Sequence, residues 1–217
     1  MRTSLAIIVV FSTVACGTPA ERAAEHALHV GEQAYRQAQF QGAADIYATA
    51  AHDPRVAYDL GNALYRLHQL DSALAWYRHG VDSSGQLTPA RNYNVGNAWF
   101  GIAQVADSSS QRILERMQAP PAPTADIGLR LRQAVEWDSL SKARTGMEAL
   151  LDSALLQSKE AFRQILRTVP KDEDARHNLA LVQRWIAARV KEATEHGKNN
   201  DKKEDKDLTE RAKRLML

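Results

Sequence analysis

The segment YDLGNA at residues 58–63 returns 35 residues later as YNVGNA at residues 93–98. A second match, at a spacing of 30, covers both halves of a two-helix unit. Its paired positions are Gly31 with Gly61, Tyr35 with Tyr65, Phe40 with Leu70, Ala43 with Ala73, and Tyr47 with Tyr77. A glycine lets a second helix approach closely, and an aromatic residue four positions later lies on the same helix face. The pattern therefore predicts a tandem array of helix–turn–helix units.

The composition agrees with a helical protein that has no strongly charged partner. The chain has 217 residues, among them 35 alanines and 11 glycines, which favours an all-α fold. Lys and Arg number 28 against 26 Asp and Glu, so the net charge of +2 gives no strong attraction to nucleic acid. The single cysteine excludes an internal disulfide and a multi-cysteine metal site.

The repeated positions resemble the tetratricopeptide repeat, a helix–turn–helix unit of about 34 residues. That resemblance implies an all-α solenoid of about three to four repeats, with a concave face that binds a partner. We predict helices over 20–37 and 40–52 for the first repeat and over 55–67 and 71–81 for the second. The third repeat starts with a helix over 88–105 and breaks near the serines at 108–110, before a short helix over 111–117.

The rest of the chain departs from this repeat pattern. The proline-rich segment APPAP at 119–123 predicts a break, and helices are expected over 126–137, 141–169 and 172–192. The predicted division is as follows: 1–15 a signal peptide; 16–107 repeats 1 and 2 and the first helix of repeat 3; 108–148 a Pro-rich helical insertion; 149–195 the end of repeat 3 and a capping helix; 196–217 a charged tail. The tail could form a short terminal helix that contacts a partner, or it could be a frayed end without a role.

The N-terminus has the plan of a secreted protein. Arg2 precedes an apolar run of about 10 residues, too short to cross a membrane, and small residues follow it. The string TVAC at 13–16 resembles the lipobox of bacterial lipoproteins, in which the cysteine is lipidated and becomes the new N-terminus. This implies that Cys16 anchors the chain in the cell envelope facing the periplasm, and Gly17 after it resembles the outer-membrane default. The alternative is an ordinary signal peptide with a chance cysteine.

No motif for catalysis stands out. The seven histidines lack the His-Glu-x-x-His spacing of zinc hydrolases, and the chain has neither a Gly-x-Ser-x-Gly elbow nor a glycine-rich phosphate loop. The carboxylates are spread as ordinary surface charges. We therefore predict no enzyme activity, no cofactor, no metal site and no small-molecule substrate.

The candidate binding residues come from the resemblance to the tetratricopeptide repeat, in which the first helix of each unit lines the concave groove. Carried over, the partner-binding groove comprises Tyr58, Asn62, Tyr65, Arg66, Tyr93, Asn94, Asn97 and Phe100, with Glu32, Tyr35 and Arg36 from the first repeat. An asparagine amide both donates and accepts, which suits a peptide backbone. Tyr58 and Tyr93 replace the lysine of a carboxylate clamp, which disfavours a C-terminal carboxylate ligand. The alternative is that the asparagines bind helix ends or neighbouring repeats.

A closer resemblance concerns the strings YNVGNA at 93–98, PKDEDARHNLA at 170–180 and LTERAKRL at 208–215. They are similar to the tetratricopeptide repeat proteins of bacterial Bat (aerotolerance) operons. The resemblance implies a non-catalytic envelope scaffold that works beside von Willebrand factor A-domain membrane proteins and a MoxR-type AAA+ ATPase. The alternative is an outer-membrane lipoprotein adaptor for envelope assembly or cell-wall enzymes. Self-association through the terminal repeat face and an enzyme unit within 108–148 are further hypotheses.

Overall fold

The computed structural model of the chain describes residues 17–79, 88–118 and 123–197. This part of the chain contains helices and no strand. The helices are α1 (Pro19–Arg36), α2 (Phe40–Ala48), α3 (Pro54–Arg66), α4 (Leu70–His79), α5 (Thr88–Gln118), α6 (Ile127–Thr168) and α7 (Glu173–Gly197). The expectation of an all-α fold is confirmed. The predicted signal peptide, Cys16, most of the proline-rich segment and the tail from 198 onward lie outside the described residues.

Capping residues in the sequence set several of the helix starts. Thr18 accepts a hydrogen bond from the Glu21 backbone N–H at 3.2 Å, and the Glu21 carboxylate accepts one from the Thr18 N–H at 2.6 Å. This reciprocal pair is a capping box, and it precedes a proline at the first position of α1. Asp53 and Asp126 are also N-caps. The Asp53 carboxylate accepts from the Arg55 N–H of α3, and the Asp126 carboxylate accepts from the Gly128 and Leu129 N–H groups of α6.

The first two helix pairs are joined by the same turn. Ala38 and His68, 30 residues apart, have φ values of 59° and 58°, in the left-handed region. The N–H group of the next residue then donates back across the helix end, from Gln39 to Ala34 O at 3.0 Å and from Gln69 to Leu64 O at 2.9 Å. This hydrogen bond satisfies carbonyl groups that the helix end leaves open. The spacing of 30 therefore extends to the backbone.

Glycines define the contacts within the helix pairs. A Cβ added to Gly31 would lie 2.4 Å from Tyr47 Cε1, and one added to Gly61 would lie 2.6 Å from Tyr77 Cε1. Both tyrosine rings are buried, at 2% and 1% exposure. Each ring thus occupies the volume that any larger residue at the glycine would need.

The third glycine, Gly96, packs against an aromatic ring of α6, far along the chain. A Cβ at Gly96 would lie 2.8 Å from Phe162 Cε1, so α6 packs on α5 as α4 packs on α3. Ser158, four residues before Phe162, is fully buried where the earlier pairs have Ala43 and Ala73. Its hydroxyl donates to the Gly96 carbonyl at 2.8 Å. The third pair is therefore completed by the C-terminal half of α6.

Two predicted helix breaks are wrong. The serines at 108–110 lie inside α5, which runs without interruption to Gln118, and α6 is one helix across residues 138–140. Serine is a weak helix former, but Ser110 is only 6% exposed and donates to the Glu148 carboxylate at 3.4 Å. Packing of α5 on α6 therefore outweighs the local propensity.

The remaining parts of α5 and α6 form an extension beyond the core. No residue of α5 after Ser110 and none of α6 before Leu151 is buried. The two segments are linked by contacts such as Arg116 with Glu136, and large apolar side chains on α6 stay exposed, Ile127 at 79% and Leu131 at 66%. The predicted insertion 108–148 is thus largely a pair of helical arms, and residues 119–122 between them lie outside the described chain.

Each helix packs mainly on its neighbours in sequence, while α1 also contacts α3 and α3 also contacts α5. One buried cluster, rich in alanine, extends from Ala24 in α1 to Ile186 in α7. Helices α1, α3, α5 and α7 carry the residues of the candidate site.

Candidate partner-binding face

The predicted groove residues of α3 and α5 form a hydrogen-bonded group. The Asn94 amide donates to Asn62 Oδ1 at 2.7 Å and to the Tyr58 hydroxyl at 2.9 Å. Asn62 Oδ1 also accepts from the Tyr77 hydroxyl at 3.1 Å, and the Asn62 amide donates to Asp59 Oδ1 at 3.3 Å. We call Tyr58, Asn62, Tyr77 and Asn94 the first polar cluster. It ties α5 to α3 across their half-buried surfaces.

The same arrangement recurs between α5 and α7. The Asn178 amide donates to the Tyr93 hydroxyl at 3.0 Å and to Asn97 Oδ1 at 3.2 Å. Tyr93 and Asn97 stand 35 residues after Tyr58 and Asn62, and Asn178 takes the role of Asn94. We call these three residues the second polar cluster. The string HNLA at 177–180 is a faint echo of YNVG at 93–96, and it makes the same helix contact.

Between α1 and α3 the corresponding positions are acidic. Glu32 stands where Asn62 stands one repeat later, and Asp59 stands where Asn94 stands. They line a cavity of about 490 Å³ together with Leu28, Tyr35, Arg36, Tyr47 and Asn62. Burial, assisted by the nearby charge of Glu32, raises the pKa of Asp59 to about 6, whereas the Asn62 amide lowers it. We call this space the acidic cavity.

Tyr47 closes the acidic cavity from α2. Its side chain is only 2% exposed, and burial, followed by the charges of Asp59 and Glu32, raises the pKa of its hydroxyl. The equivalent hydroxyl of Tyr77 donates to Asn62, but that of Tyr47 makes no hydrogen bond with any residue in the described ranges. The cavity is therefore lined by a hydroxyl without a partner among the described residues as well as by two carboxylates.

The other predicted groove residues lie nearer the C-terminal ends of their helices. The Arg66 guanidinium is 4.4 Å from the Phe40 ring centroid, in a cation–π arrangement, and Phe100 meets Trp185 edge to face at 5.5 Å. A second cavity of about 440 Å³ separates this end of α3 from α5. It is lined by Tyr65, Arg66, His68, Leu70, Gly101, Gln104, Val105, Ser108, Ser109 and Arg112.

The structure thus distributes the predicted residues over several places, with Glu32, Tyr35 and Arg36 at the acidic cavity. Tyr58, Asn62 and Asn94 share the first polar cluster, Tyr93 and Asn97 belong to the second, and Tyr65 and Arg66 line the second cavity. Phe100 packs against α7. Asn62, Asn94 and Asn97 each hydrogen-bond to an asparagine of a neighbouring helix.

Four polar residues of the two clusters and the acidic cavity were not among the predicted groove residues: Tyr47, Asp59, Tyr77 and Asn178. The sequence contains a signal for Asp59, because this residue aligns with Asn94 when 58–63 is matched to 93–98. Asn178 could be found only through the faint echo at 177–180. Tyr77 was visible as a repeated tyrosine, but its hydroxyl contact with Asn62 depends on how α4 packs on α3.

Two kinds of feature are absent from the described ranges. No group of three or more His, Cys, Asp or Glu residues there could hold a metal ion. No helix within those ranges is long and apolar enough to cross a membrane. In comparisons with protein-family models and with curated proteins, no match to this chain was found.

Proposed function

We propose that this chain is a non-catalytic scaffold of the bacterial cell envelope, a helical-repeat solenoid that binds a segment of a partner protein. The binding face is formed by α1, α3, α5 and α7. The repeated glycine–aromatic contacts support a solenoid of tetratricopeptide type, because such units stack through the same interface again and again. The contacts of α1 with α3 and of α3 with α5 support it too.

The observation that carries the proposal is the acidic cavity between α1 and α3. A cleft of about 490 Å³ with convergent polar groups lies in the size range of sites that accept a ligand group, about 300–1,000 Å³. It shares α3 with the half-buried aromatic residues Tyr58 and Tyr65, and the neighbouring helix α5 carries Tyr93 and Phe100, which are half-buried as well. Aromatic side chains supply large contact area at low entropic cost, which suits a protein interface.

The polar clusters support a binding face whose geometry is fixed before the partner binds. Asn62 Oδ1 already accepts two hydrogen bonds, from Asn94 and Tyr77, so its role is to hold the helices in place. Asn94 Oδ1 and Asn97 Nδ2 form no hydrogen bond with other described residues, so one can accept from a peptide N–H and the other donate to a carbonyl. Such preorganisation reduces the entropic cost of binding.

The location and the partners rest on the sequence. The lipobox-like TVAC at 13–16 supports an anchor at Cys16, since lasting attachment needs more than one acyl chain and bacterial lipoproteins carry several. The strings at 93–98, 170–180 and 208–215 support a Bat-type complex with von Willebrand factor A-domain proteins and a MoxR-type AAA+ ATPase.

The test is capture of partners by the full-length chain from its own membranes, beside three variants. Cys16→Ala removes the lipidation site, Arg66→Glu reverses an exposed charge on the proposed face, and Arg163→Glu makes the same change at an exposed position of α6. We expect A-domain proteins and the AAA+ ATPase to be recovered, and to be lost or reduced with Cys16→Ala and Arg66→Glu but not with Arg163→Glu.

The other outcomes separate the parts of the proposal. Recovery of assembly machinery or cell-wall enzymes would keep the scaffold and discard the Bat assignment. Equal capture by Arg66→Glu and Arg163→Glu would mean that the partner does not use this face. If the Cys16→Ala variant stays in the membrane as the wild type does, the proposal of a lipid anchor at Cys16 is wrong.

A further inference from the structure

The three interfaces between alternate helices differ in one chemical respect. The α3–α5 and α5–α7 interfaces pair two asparagines, Asn62 with Asn94 and Asn97 with Asn178. The α1–α3 interface has Glu32 and Asp59 at the same two positions. An amide pair is self-sufficient, because one side chain donates and the other accepts. Two ionised carboxylates can only accept, so neither member of this pair can donate to the other.

The charges around the acidic cavity do not cancel. Glu32 is paired with Arg36 of the same helix at 2.5 Å, and both side chains are exposed. Asp59 receives only the neutral amide of Asn62, at 3.3 Å, and no lysine or arginine in the described ranges forms a salt bridge with it. One largely buried carboxylate therefore remains without a cation.

Tyr47 presents a further polar group to the acidic cavity, independently of the two carboxylates. Its side chain is 98% buried against Gly31, and its hydroxyl lines the cavity without a hydrogen-bond partner among the described residues. In the next repeat the equivalent hydroxyl of Tyr77 is satisfied by Asn62. The Tyr47 hydroxyl oxygen is open to the cavity, so an N–H group of a ligand can reach it as a hydrogen-bond donor.

We propose that the acidic cavity binds one lysine or arginine side chain of the partner segment, with the Asp59 carboxylate as its ion-pair acceptor and the Tyr47 hydroxyl as a further acceptor. The inference rests on the proposed function and names the chemistry of the bound residue. Leu28 and the Tyr35 ring supply an apolar wall for the aliphatic stem, while the charged head reaches the carboxylate. Charge-assisted hydrogen bonds of this kind are among the strongest that proteins form.

The proposal predicts that binding of a basic group depends on pH. The groups that face the cavity are Glu32 and Arg36 from α1, Tyr47 from α2 and Asp59 from α3, with Tyr35 and Asn62 beside them. Because burial raises the pKa of Asp59 to about 6, its charge is present at pH 7.5 and mostly lost at pH 5. Binding of a basic group should therefore weaken roughly tenfold over that interval.

The direct test uses a small probe instead of the partner. The isotope-labelled full-length chain is titrated at pH 7.5 with Nα-acetyl-lysine N-methylamide, with its arginine counterpart, and with Nα-acetyl-norleucine N-methylamide, which has a similar apolar stem without charge. Backbone amide resonances and the Asp59 carboxyl resonance are followed. We expect saturable shifts around Tyr47 and Asp59 with a basic probe, and at least tenfold weaker binding of norleucine.

Variants taken from the chain's own repeats serve as controls. Asp59→Asn introduces the residue found at the equivalent position 94, so folding should be retained, and it should weaken the basic probe at least tenfold. Asp45→Asn makes the same change on the exposed surface of α2 and should bind as the wild type does. If Asp59→Asn does not fold, Tyr47→Phe takes its place and should weaken the probe severalfold. Equal binding of lysine and norleucine probes, or unchanged binding by the folded variant, would overturn the proposal.

The probe experiment and the capture experiment fail independently. If Arg66→Glu lowers partner capture but the basic probe does not bind, the face stands and the basic-residue pocket is wrong. If Asp59→Asn abolishes probe binding yet captures the partner fully, the cavity binds a basic group that does not belong to the partner segment, which also overturns the inference. If the probe binds but Arg66→Glu has no effect on capture, the assignment of the partner-binding face is wrong.

Discussion

The Asn178 amide donates to Asn97 Oδ1 at 3.2 Å, although the two residues are 81 positions apart in the chain. The same bond joins Asn94 to Asn62 across only 32 positions. The extra separation contains the arms of α5 and α6, which leave the core and return to it. The same helix interface therefore occurs twice in the molecule, whereas the length of chain that connects the two helices differs.

The first prediction concerns this bond. Asn178→Ala should lower the free energy of unfolding by about 1–2 kcal/mol, because the half-buried Tyr93 hydroxyl and Asn97 amide both lose a partner. Urea denaturation measures the loss, and Gln183→Ala, at an exposed site of α7, is the matched control. In a double-mutant cycle, Asn97→Ala should cost clearly less in the Asn178→Ala background than alone. Strict additivity would show that the two side chains do not interact.

The glycine–tyrosine contact can be tested by adding one methyl group. Gly61→Ala should destabilise the chain by about 1–3 kcal/mol, since the new Cβ would lie 2.6 Å from a buried Tyr77 ring atom that has no room to move. Gly42→Ala in α2 meets nothing within 4 Å and should be neutral or stabilise by up to about 1 kcal/mol. Thermal unfolding followed by circular dichroism compares them. A Gly61→Ala chain as stable as the Gly42→Ala chain would contradict the packing.

The shared turn offers a stabilising change. Ala38→Gly and His68→Gly should each raise the free energy of unfolding by about 0.5–1 kcal/mol, because only glycine adopts φ near 60° without a penalty. Ala48→Gly, at an exposed helical position of α2, should instead cost about 0.5–1 kcal/mol. Urea midpoints of the three variants give the comparison, and a loss of stability at both turn positions would argue against the left-handed backbone.

The last prediction concerns pH. The folded chain raises the pKa of Asp59 from 3.8 to about 6, so it binds this proton more tightly than the unfolded chain does. The ionised group therefore costs stability, by up to about 3 kcal/mol, above pH 6, and that cost fades as pH falls towards 4. Asp59→Asn should accordingly stabilise the chain at pH 7.5 and give almost no gain at pH 4. Unfolding curves between these limits measure the difference, and a gain that does not change with pH would contradict the assignment.

Local signals were enough to predict the first four helices. The predicted starts at 20, 40, 55 and 71 lie within one residue of the observed ones, because helix caps, prolines and helical periodicity act over a few residues. The predicted end of α2, at 52, extended four residues too far, while that of α4, at 81, lies outside the described residues. The same local reasoning failed at the serines of α5, where contact with α6 decides that the helix continues.

What the sequence determined by itself was the repeat: glycine and tyrosine at fixed offsets specify a helix pair, since each pair is built from neighbouring residues. Only the tertiary structure decided which distant residues complete that pattern. Phe162 and Asn178 serve as the third partners because α6 and α7 return to the core after the arms. The acidic cavity has the same origin, since Glu32 and Asp59 become neighbours only when α3 packs on α1, and the burial that raises the pKa of Asp59 belongs to no single stretch of chain.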